Sequence, residues 1–289
     1  MKQEKKSHST LMVMLKGFII GSSMSVPGVS GGTMAILLGI YDKLISSVSH
    51  FTKDLKGNII FFIKFCMGAG IGIFTLSKVI NWLLVKVPLP VSFFFLGAVI
   101  GGVPALYKKV KTKDSNITVS SIIYFLLGLG IVISIGFIPT GTISVTSGSG
   151  PVHYLMLLVT GIIIALALVL PGISTSHMLL VLGMYDSMLL AIENYDFVYL
   201  GIIGIVTVIG IFLTTRPIEW TMNKFPRQTY CVVIGFVLGS TYEIFQDKII
   251  PAIPADANYT WWILSAIVSV IAFALGVSAI MSLSRYSND

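Results

Sequence analysis

The sequence predicts an all-α, polytopic membrane protein built from two related halves, and three observations lead there. Apolar residues make up 55% of the chain and charged residues only 11%, with a mean hydropathy of +0.93. That balance leaves too little polar surface for a domain solvated on every side. The apolar residues gather in runs that approach the roughly 20 residues a spanning helix needs. The first part of the chain then recurs in the second, down to individual prolines and glycines.

Six long runs are predicted as spanning helices, at 58–85, 91–106, 119–138, 198–215, 230–245 and 259–283. Four shorter runs, 11–26, 33–48, 153–170 and 175–192, form two pairs. Each pair is joined at a Pro-Gly sequence, Val26-Pro27-Gly28-Val29-Ser30 in one and Leu170-Pro171-Gly172-Ile173-Ser174 in the other. Proline removes a backbone donor and breaks a helix, so each pair is predicted as a broken helix or hairpin, either re-entrant or fully crossing. No small-residue cleavage site follows the basic start Lys2-Gln3-Glu4-Lys5-Lys6, and the first apolar run is expected to stay in the protein.

The net charge is +7, and its placement separates two classes of partner. With the N-terminus cytoplasmic, 15 of the 19 basic residues fall on that side, in clusters such as Lys53 with Lys56, Lys108 to Lys113, and Arg216 with Lys224 and Arg227. The opposite side receives the uncharged loop 139–151, the acidic stretch 193–196 and the segment 247–256. This is the positive-inside pattern with both termini cytoplasmic. It assigns the basic surplus to topology and to membrane lipid headgroups, and no nucleic-acid partner is expected. Cys66 and Cys231 sit in apolar runs without metal-type spacing, so neither a disulfide nor a metal site is expected.

An offset of 144 lays residues 17–41 over 161–185, with Pro27, Gly28, Ser30, Met34, Leu38, Gly39, Tyr41 and Asp42 recurring as Pro171, Gly172, Ser174, Met178, Leu182, Gly183, Tyr185 and Asp186. After a change in loop length the offset becomes 138. Ile71-Gly72-Ile73-Phe74 then returns as Ile209-Gly210-Ile211-Phe212, Trp82 as Trp220, and Pro88 as Pro226. The expected organisation is a first repeat at 1–138, a connecting extracellular loop at 139–151 and a second repeat at 152–289. Each repeat holds one Pro-Gly hairpin plus three long spans, an odd number of crossings on either reading of the hairpin. The second repeat then enters the membrane from the opposite side, which is an inverted-topology repeat of the kind alternating-access transporters use.

The first break, Pro27-Gly28-Val29-Ser30-Gly31-Gly32-Thr33, puts unpaired backbone in an apolar setting, where each unsatisfied group costs several kcal/mol. Such a loop must be sheltered by protein or line a cavity. Glycine allows close approach of a ligand, and a helix starting near Thr33 aims N–H groups at an anionic guest. The candidate anion-binding set is therefore Gly28, Ser30, Gly31, Gly32 and Thr33, with Gly172, Ser174, Thr175, Ser176 and His177 from the second break, where hydroxyls and an imidazole replace Gly31-Gly32-Thr33. Lys78 and its repeat partner Arg216 are candidate phosphate clamps, because a cation in an apolar run needs a partner or a path. Snorkelling to the headgroups is the competing reading, and Glu219 is the carboxylate within reach of Arg216. Asp42, Asp186 and Glu243 are candidate carriers of a proton or sodium ion. No second ligand at helical spacing accompanies His177, so a hydrogen-bonding or titrating role is expected of it. Nucleotide-loop, dinucleotide and Ser-His-Asp signatures are lacking, and no cofactor is expected.

The duplicated motifs, Ser25-Val26-Pro27-Gly28-Val29-Ser30-Gly31-Gly32-Thr33 and Val169-Leu170-Pro171-Gly172-Ile173-Ser174-Thr175-Ser176-His177, together with Leu38-Gly39-Ile40-Tyr41-Asp42, resemble the bacterial polyprenyl-phosphate transporter family over nearly the whole chain. The resemblance implies a non-enzymatic lipid transporter of the bacterial plasma membrane. Its substrate would be undecaprenyl phosphate, or a related polyprenyl phosphate, moved from the outer to the cytoplasmic leaflet for reuse in envelope synthesis. Two alternatives share these features. A carrier or channel for a small soluble anion would use the same loops without a sideways opening for a tail, and a membrane lipid phosphatase would need a nucleophile and a general acid side by side.

Overall fold

Where the apolar pattern runs unbroken the chain forms long helices, and where Pro-Gly or Leu-Gly interrupts it the helices are short. A computed structural model describes residues 10–24, 29–110, 118–139, 150–254 and 258–288, and all regular structure among them is helical. The helices are α1 (Thr10–Ser23), α2 (Gly31–Leu37), α3 (Tyr41–Ser49), α4 (Leu55–Lys86), α5 (Pro88–Val110), α6 (Val119–Gly136), α7 (Pro151–Val169), α8 (Thr175–Val181), α9 (Tyr185–Glu193), α10 (Phe197–Lys224), α11 (Pro226–Ile244) and α12 (Tyr259–Asn288). Six of them, α4, α5, α6, α7, α10 and α12, are long and apolar enough to cross a bilayer. The protein is a multi-pass membrane protein.

The boundaries differ from the sequence expectation in three places. α7 has 19 residues and spanning length, whereas α1, read as its equal, has 14. α11, expected as a spanning helix, is not among the six, because Arg227 and Gln228 near its start and Ser240, Thr241 and Glu243 near its end lower its hydropathy. α10 continues through Pro217 to Lys224, nine residues beyond the expected end at Thr215.

A second break in each hairpin region was not expected. The runs 33–48 and 175–192 are each interrupted at a Leu-Gly pair, and α8 and α9 meet at a bend of 109°. Gly39 and Gly183 adopt φ of 66° and 64°, the left-handed conformation that ends helices at little cost for glycine. Around them the hydrogen bonds are the same. Gly39 N–H donates to Ile36 and Ile40 N–H to Ala35, while Gly183 N–H donates to Leu180 and Met184 N–H to Leu179, at 2.9–3.1 Å.

The helices pack in recurring pairs. α1 lies along α4 as α7 lies along α10, and α5 lies along α12 as α6 lies along α11, with α5 against α11 at the centre. Small residues permit these approaches, as expected where lipid supplies no hydrophobic force between helices. A Cβ on Gly97 of α5 would strike the Phe273 carbonyl of α12, and one on Gly276 would strike that of Phe94. The α6–α11 crossing repeats the device with Gly128 against Val232 and Gly235 against Phe125. α2 is seated on α5 through Leu37, whose side chain fills the notch at Gly102.

These crossings predict a split among glycine substitutions. Gly235→Leu and Gly276→Leu should each lower stability by at least about 1–3 kcal/mol, the ordinary cost of overpacking, seen as earlier thermal unfolding in detergent. Gly130→Leu, at a site with open space around the added carbon, should leave the unfolding temperature unchanged or slightly raised.

Candidate functional site

The short helices begin directly after the breaks. Ser30 is the N-cap of α2 and Ser174 the N-cap of α8. Ser174 Oγ accepts from the His177 N–H at 3.3 Å and lies 3.0 Å from Ser176 Oγ, the usual way a serine satisfies a helix start. Ser30 makes no such cap bond.

The two hairpin regions meet, although 139 residues separate the groups that join them. Gly172 N–H donates to Thr33 Oγ1 at 2.8 Å, and Tyr41 OH donates to the Val169 carbonyl at 2.6 Å. Gly32 abuts the backbone of Leu168, Leu170 and Pro171 at 3.3–3.4 Å from where its Cβ would stand. Gly172 itself has φ of 82° and presses on the Phe236 carbonyl of α11. The second Pro-Gly turn is thus wedged between α2 and α11, and a side chain at Gly172 would meet both strain and collision.

Several candidate donors are already engaged at this junction, since the Gly172 and His177 N–H groups bond to Thr33 and Ser174. Two polar atoms are left over. Ser30 Oγ and His177 Nε2 are buried and have no hydrogen-bond partner among the described residues, a costly state unless a guest completes them. Gly28, with Ser25, Val26 and Pro27, lies outside the described residues. Gly31, Thr175 and Ser176 are half-buried beside the junction.

Other candidates lie elsewhere. Lys78 and Arg216 are exposed on α4 and α10 and line neither cavity described below. Glu219 pairs with His50 Nδ1 at 3.3 Å. Asp42 joins a network at the edge of the first hairpin region, where Lys109 Nζ is 2.5 Å from its Oδ2 and Tyr230 OH donates to its Oδ1 at 3.2 Å. Asp186 is exposed. Glu243 is only 3% exposed, and neither of its carboxylate oxygens has a partner among the described residues. Among the described residues, no group of three or more His, Cys, Asp and Glu side chains could hold a metal ion.

Two cavities adjoin the junction on either side of a shared wall. One of about 430 Å³ reaches from Phe225, Gln228 and Thr229 at the α10–α11 turn to Leu170, Pro171 and Phe236. The other, about 230 Å³, lies among α1, α2, α3, α4, α7 and α10 and is lined by Gly31 and Gly32. Tyr41 lines both. In the sequence Tyr41 stands out only as a recurring residue beside Asp42, without a binding role, and Lys109 only as part of a cytoplasmic basic cluster. The available signal for Tyr41 was its recurrence as Tyr185.

A family model described as undecaprenyl phosphate translocase-like matches residues 20–260. The chain belongs to this family. Two relatives of the translocase-like chain are each named polyprenyl-phosphate transporter. The one from Vibrio cholerae is 30% identical over 84% of this chain and 80% of its own length. The one from Staphylococcus aureus is 32% identical over 92% of this chain and 94% of its own. No solved structure is significantly similar to this translocase-like protein.

The junction should register in stability. Thr33→Val leaves the Gly172 N–H unpaired in a buried place and should cost about 1–3 kcal/mol, and Tyr41→Phe about 1 kcal/mol. Asp42→Asn, in an exposed ion pair, should cost under about 1 kcal/mol. Thermal unfolding of the three purified variants checks the ranking.

Proposed function

We propose that this protein carries a polyprenyl phosphate, with undecaprenyl phosphate as its natural form, from the outer to the cytoplasmic leaflet of a bacterial plasma membrane. The observation that carries the reading is the buried junction of the two hairpin regions, where Ser30 Oγ and His177 Nε2 stand unpaired in a chain whose relatives are named polyprenyl-phosphate transporters. A lipid phosphate supplies what that junction lacks. Its oxygens accept from the Ser30 hydroxyl, the His177 ring N–H and the backbone at the starts of α2 and α8. Thr33, Ser174, Thr175 and Ser176 complete the polar surround.

The recurring helix pairs and the sequence repeat support two halves, 1–138 and 152–289, inserted in opposite senses with both termini cytoplasmic. Alternating access, by movement of the helix pairs against one another, exposes the junction first to one leaflet and then to the other. Carriage of the lipid is the whole activity, with no bond made or broken. Lys78 and Arg216, exposed on their helices, act in this scheme as headgroup anchors that draw the phosphate to the surface before it enters.

Moving one negative charge inward against an inside-negative potential costs about 2.3 kcal/mol per 100 mV, and a co-transported cation offsets it. Of the three candidate carboxylates, Asp42 is in an ion pair and Asp186 is exposed. An unpaired carboxylate in apolar surroundings is costly, and this favours Glu243 as the group that holds a proton or sodium ion.

Purified protein in liposomes should bind and translocate a fluorescent polyprenyl phosphate. Ser30→Ala and His177→Ala should each weaken binding by about tenfold, the worth of one hydrogen bond to a charged group. Glu243→Gln should keep binding but lose the response of transport to imposed proton or sodium gradients. Absence of lipid phosphate binding, uptake of a water-soluble anion in its place, or release of inorganic phosphate from the lipid each overturns the reading.

A further inference from the structure

We infer that the smaller cavity is a chamber for the isoprenoid tail, divided from the larger cavity by a wall of Tyr41 and residues 168–171. The inference rests on the function proposed above. It adds where the chain of the lipid goes, and which residues make the protein select a prenyl lipid.

The lining excludes a polar guest. Apart from glycines and apolar side chains such as Ile20, Leu44, Phe62 and Phe65, the chamber holds only two side-chain hydroxyls, those of Tyr41 and Thr215. Both are already bonded within the protein, Tyr41 to the Val169 carbonyl and Thr215 to the Ile211 carbonyl at 2.8 Å. Beyond the backbone of Gly31 and Gly32, no side-chain group there is left to hold a phosphate or a water chain, so the occupant of the body of the chamber is apolar. The larger cavity, also mostly apolar, carries the side chains of Thr221, Gln228 and Thr229 along its lining.

The position ties this apolar occupant to the junction. The chamber is lined by Gly31 and Gly32, the two residues that follow the unpaired Ser30. A chain lying in it has its polar end at the hairpin junction. Leu168 and Val169 face the chamber, Leu170 and Pro171 face the larger cavity, and Tyr41 lines both. The Tyr41–Val169 hydrogen bond therefore clasps the wall between them. The chamber lies between the α1–α4 pair and the α7–α10 pair, which are bridged by α2 and α3 and do not pack along one another directly among the described residues, so a tail would enter from the side between them. Met24, at its rim, is 43% exposed. A methyl-branched prenyl chain is a substrate feature that distinguishes the relatives' lipid from bulk acyl chains, and the phenyl rings of Phe62 and Phe65 give it a shaped rather than fluid surface.

The test uses the full chain in detergent and a series of probes with one head and different tails: inorganic phosphate, dimethylallyl, geranyl and farnesyl phosphate, and straight-chain dodecyl phosphate. Affinity should climb from dimethylallyl to farnesyl as more carbons enter the chamber, and dodecyl phosphate should bind more weakly than farnesyl. Ala69→Phe and Leu44→Trp fill the chamber from two different helices. Each should lower farnesyl phosphate affinity by at least about tenfold, while dimethylallyl phosphate stays within about twofold. A photoreactive farnesyl phosphate should label wild-type protein within residues 35–48 and 62–69, a result independent of any variant. The inference is overturned if the climb survives in both folded variants, if short and long probes weaken alike, if dodecyl phosphate binds as tightly as farnesyl, or if labelling falls elsewhere. Failure of the wild type to bind any prenyl phosphate sinks the proposed function itself; tight binding with unaltered variants sinks only the chamber.

Discussion

Backbone polar groups freed at a helix break have no water to turn to inside a membrane protein, and this constraint organises the centre of the molecule. The Gly172 N–H, released by the second Pro-Gly turn, finds the Thr33 hydroxyl. The Val169 carbonyl, at the end of α7, finds the Tyr41 hydroxyl. Both solutions are supplied by the first hairpin region, so the second break is satisfied only when the two regions are docked. A site built this way is dry, preorganised and reached from both ends of the chain, and it leaves over only the few groups that a ligand can complete.

Close helix crossings hold that junction in place. The partners α6 and α11 come from opposite sides of the 139–151 segment, as do α5 and α12, and both pairs are clamped by glycines facing carbonyls. Exchange of this kind links the two parts of the chain through rigid pairs, while α2 and α8, at seven residues each, are too short to resist displacement by themselves. The short helices are positioned by Leu37 in the Gly102 notch and by the matching turns at Gly39 and Gly183. Stiff pairs around small, separately held helices give an architecture in which pair-on-pair motion changes the surroundings of the junction without unfolding it.

Much of this was legible from residue types alone, and the reasons are physical. Composition and run length specify a helical membrane protein because the bilayer sets both, and the repeat of Pro-Gly and Leu-Gly-x-Tyr-Asp marks the places where backbone geometry is special. The left-handed turns at Gly39 and Gly183 were readable in principle, since glycine after leucine closes both helices, but an apolar run hides a break that carries no proline. The Thr33–Gly172 and Tyr41–Val169 contacts were not readable, because no local pattern reports a partner more than a hundred residues away. Lys78 and Arg216 drew attention as cations in apolar runs, yet a helix has an outer face, and periodicity alone does not say which face a long cation takes.

The two hairpin regions are held unequally, and the difference traces to substitutions at repeat-related positions. Asp42 of the first is bound by Lys109 of α5 and Tyr230 of α11, so one carboxylate ties α3 to both central helices. At the offset of 138, Lys109 corresponds to Asp247 and Tyr230 to Ser92. The repeat-related positions therefore hold an acid and a small hydroxyl in place of the cation and the phenol, and they cannot supply an equivalent network to Asp186. The Lys109–Asp42 pair is partly exposed, with side chains 40% and 52% accessible, and pairs of that kind contribute at most about 1 kcal/mol. A tie of that size biases an equilibrium by a fewfold and does not lock it. The α2–α3 side is thus the better anchored and α8–α9, which follow the wedged Pro171-Gly172 turn, the freer, so a modest rearrangement acts most directly on α8 and α9.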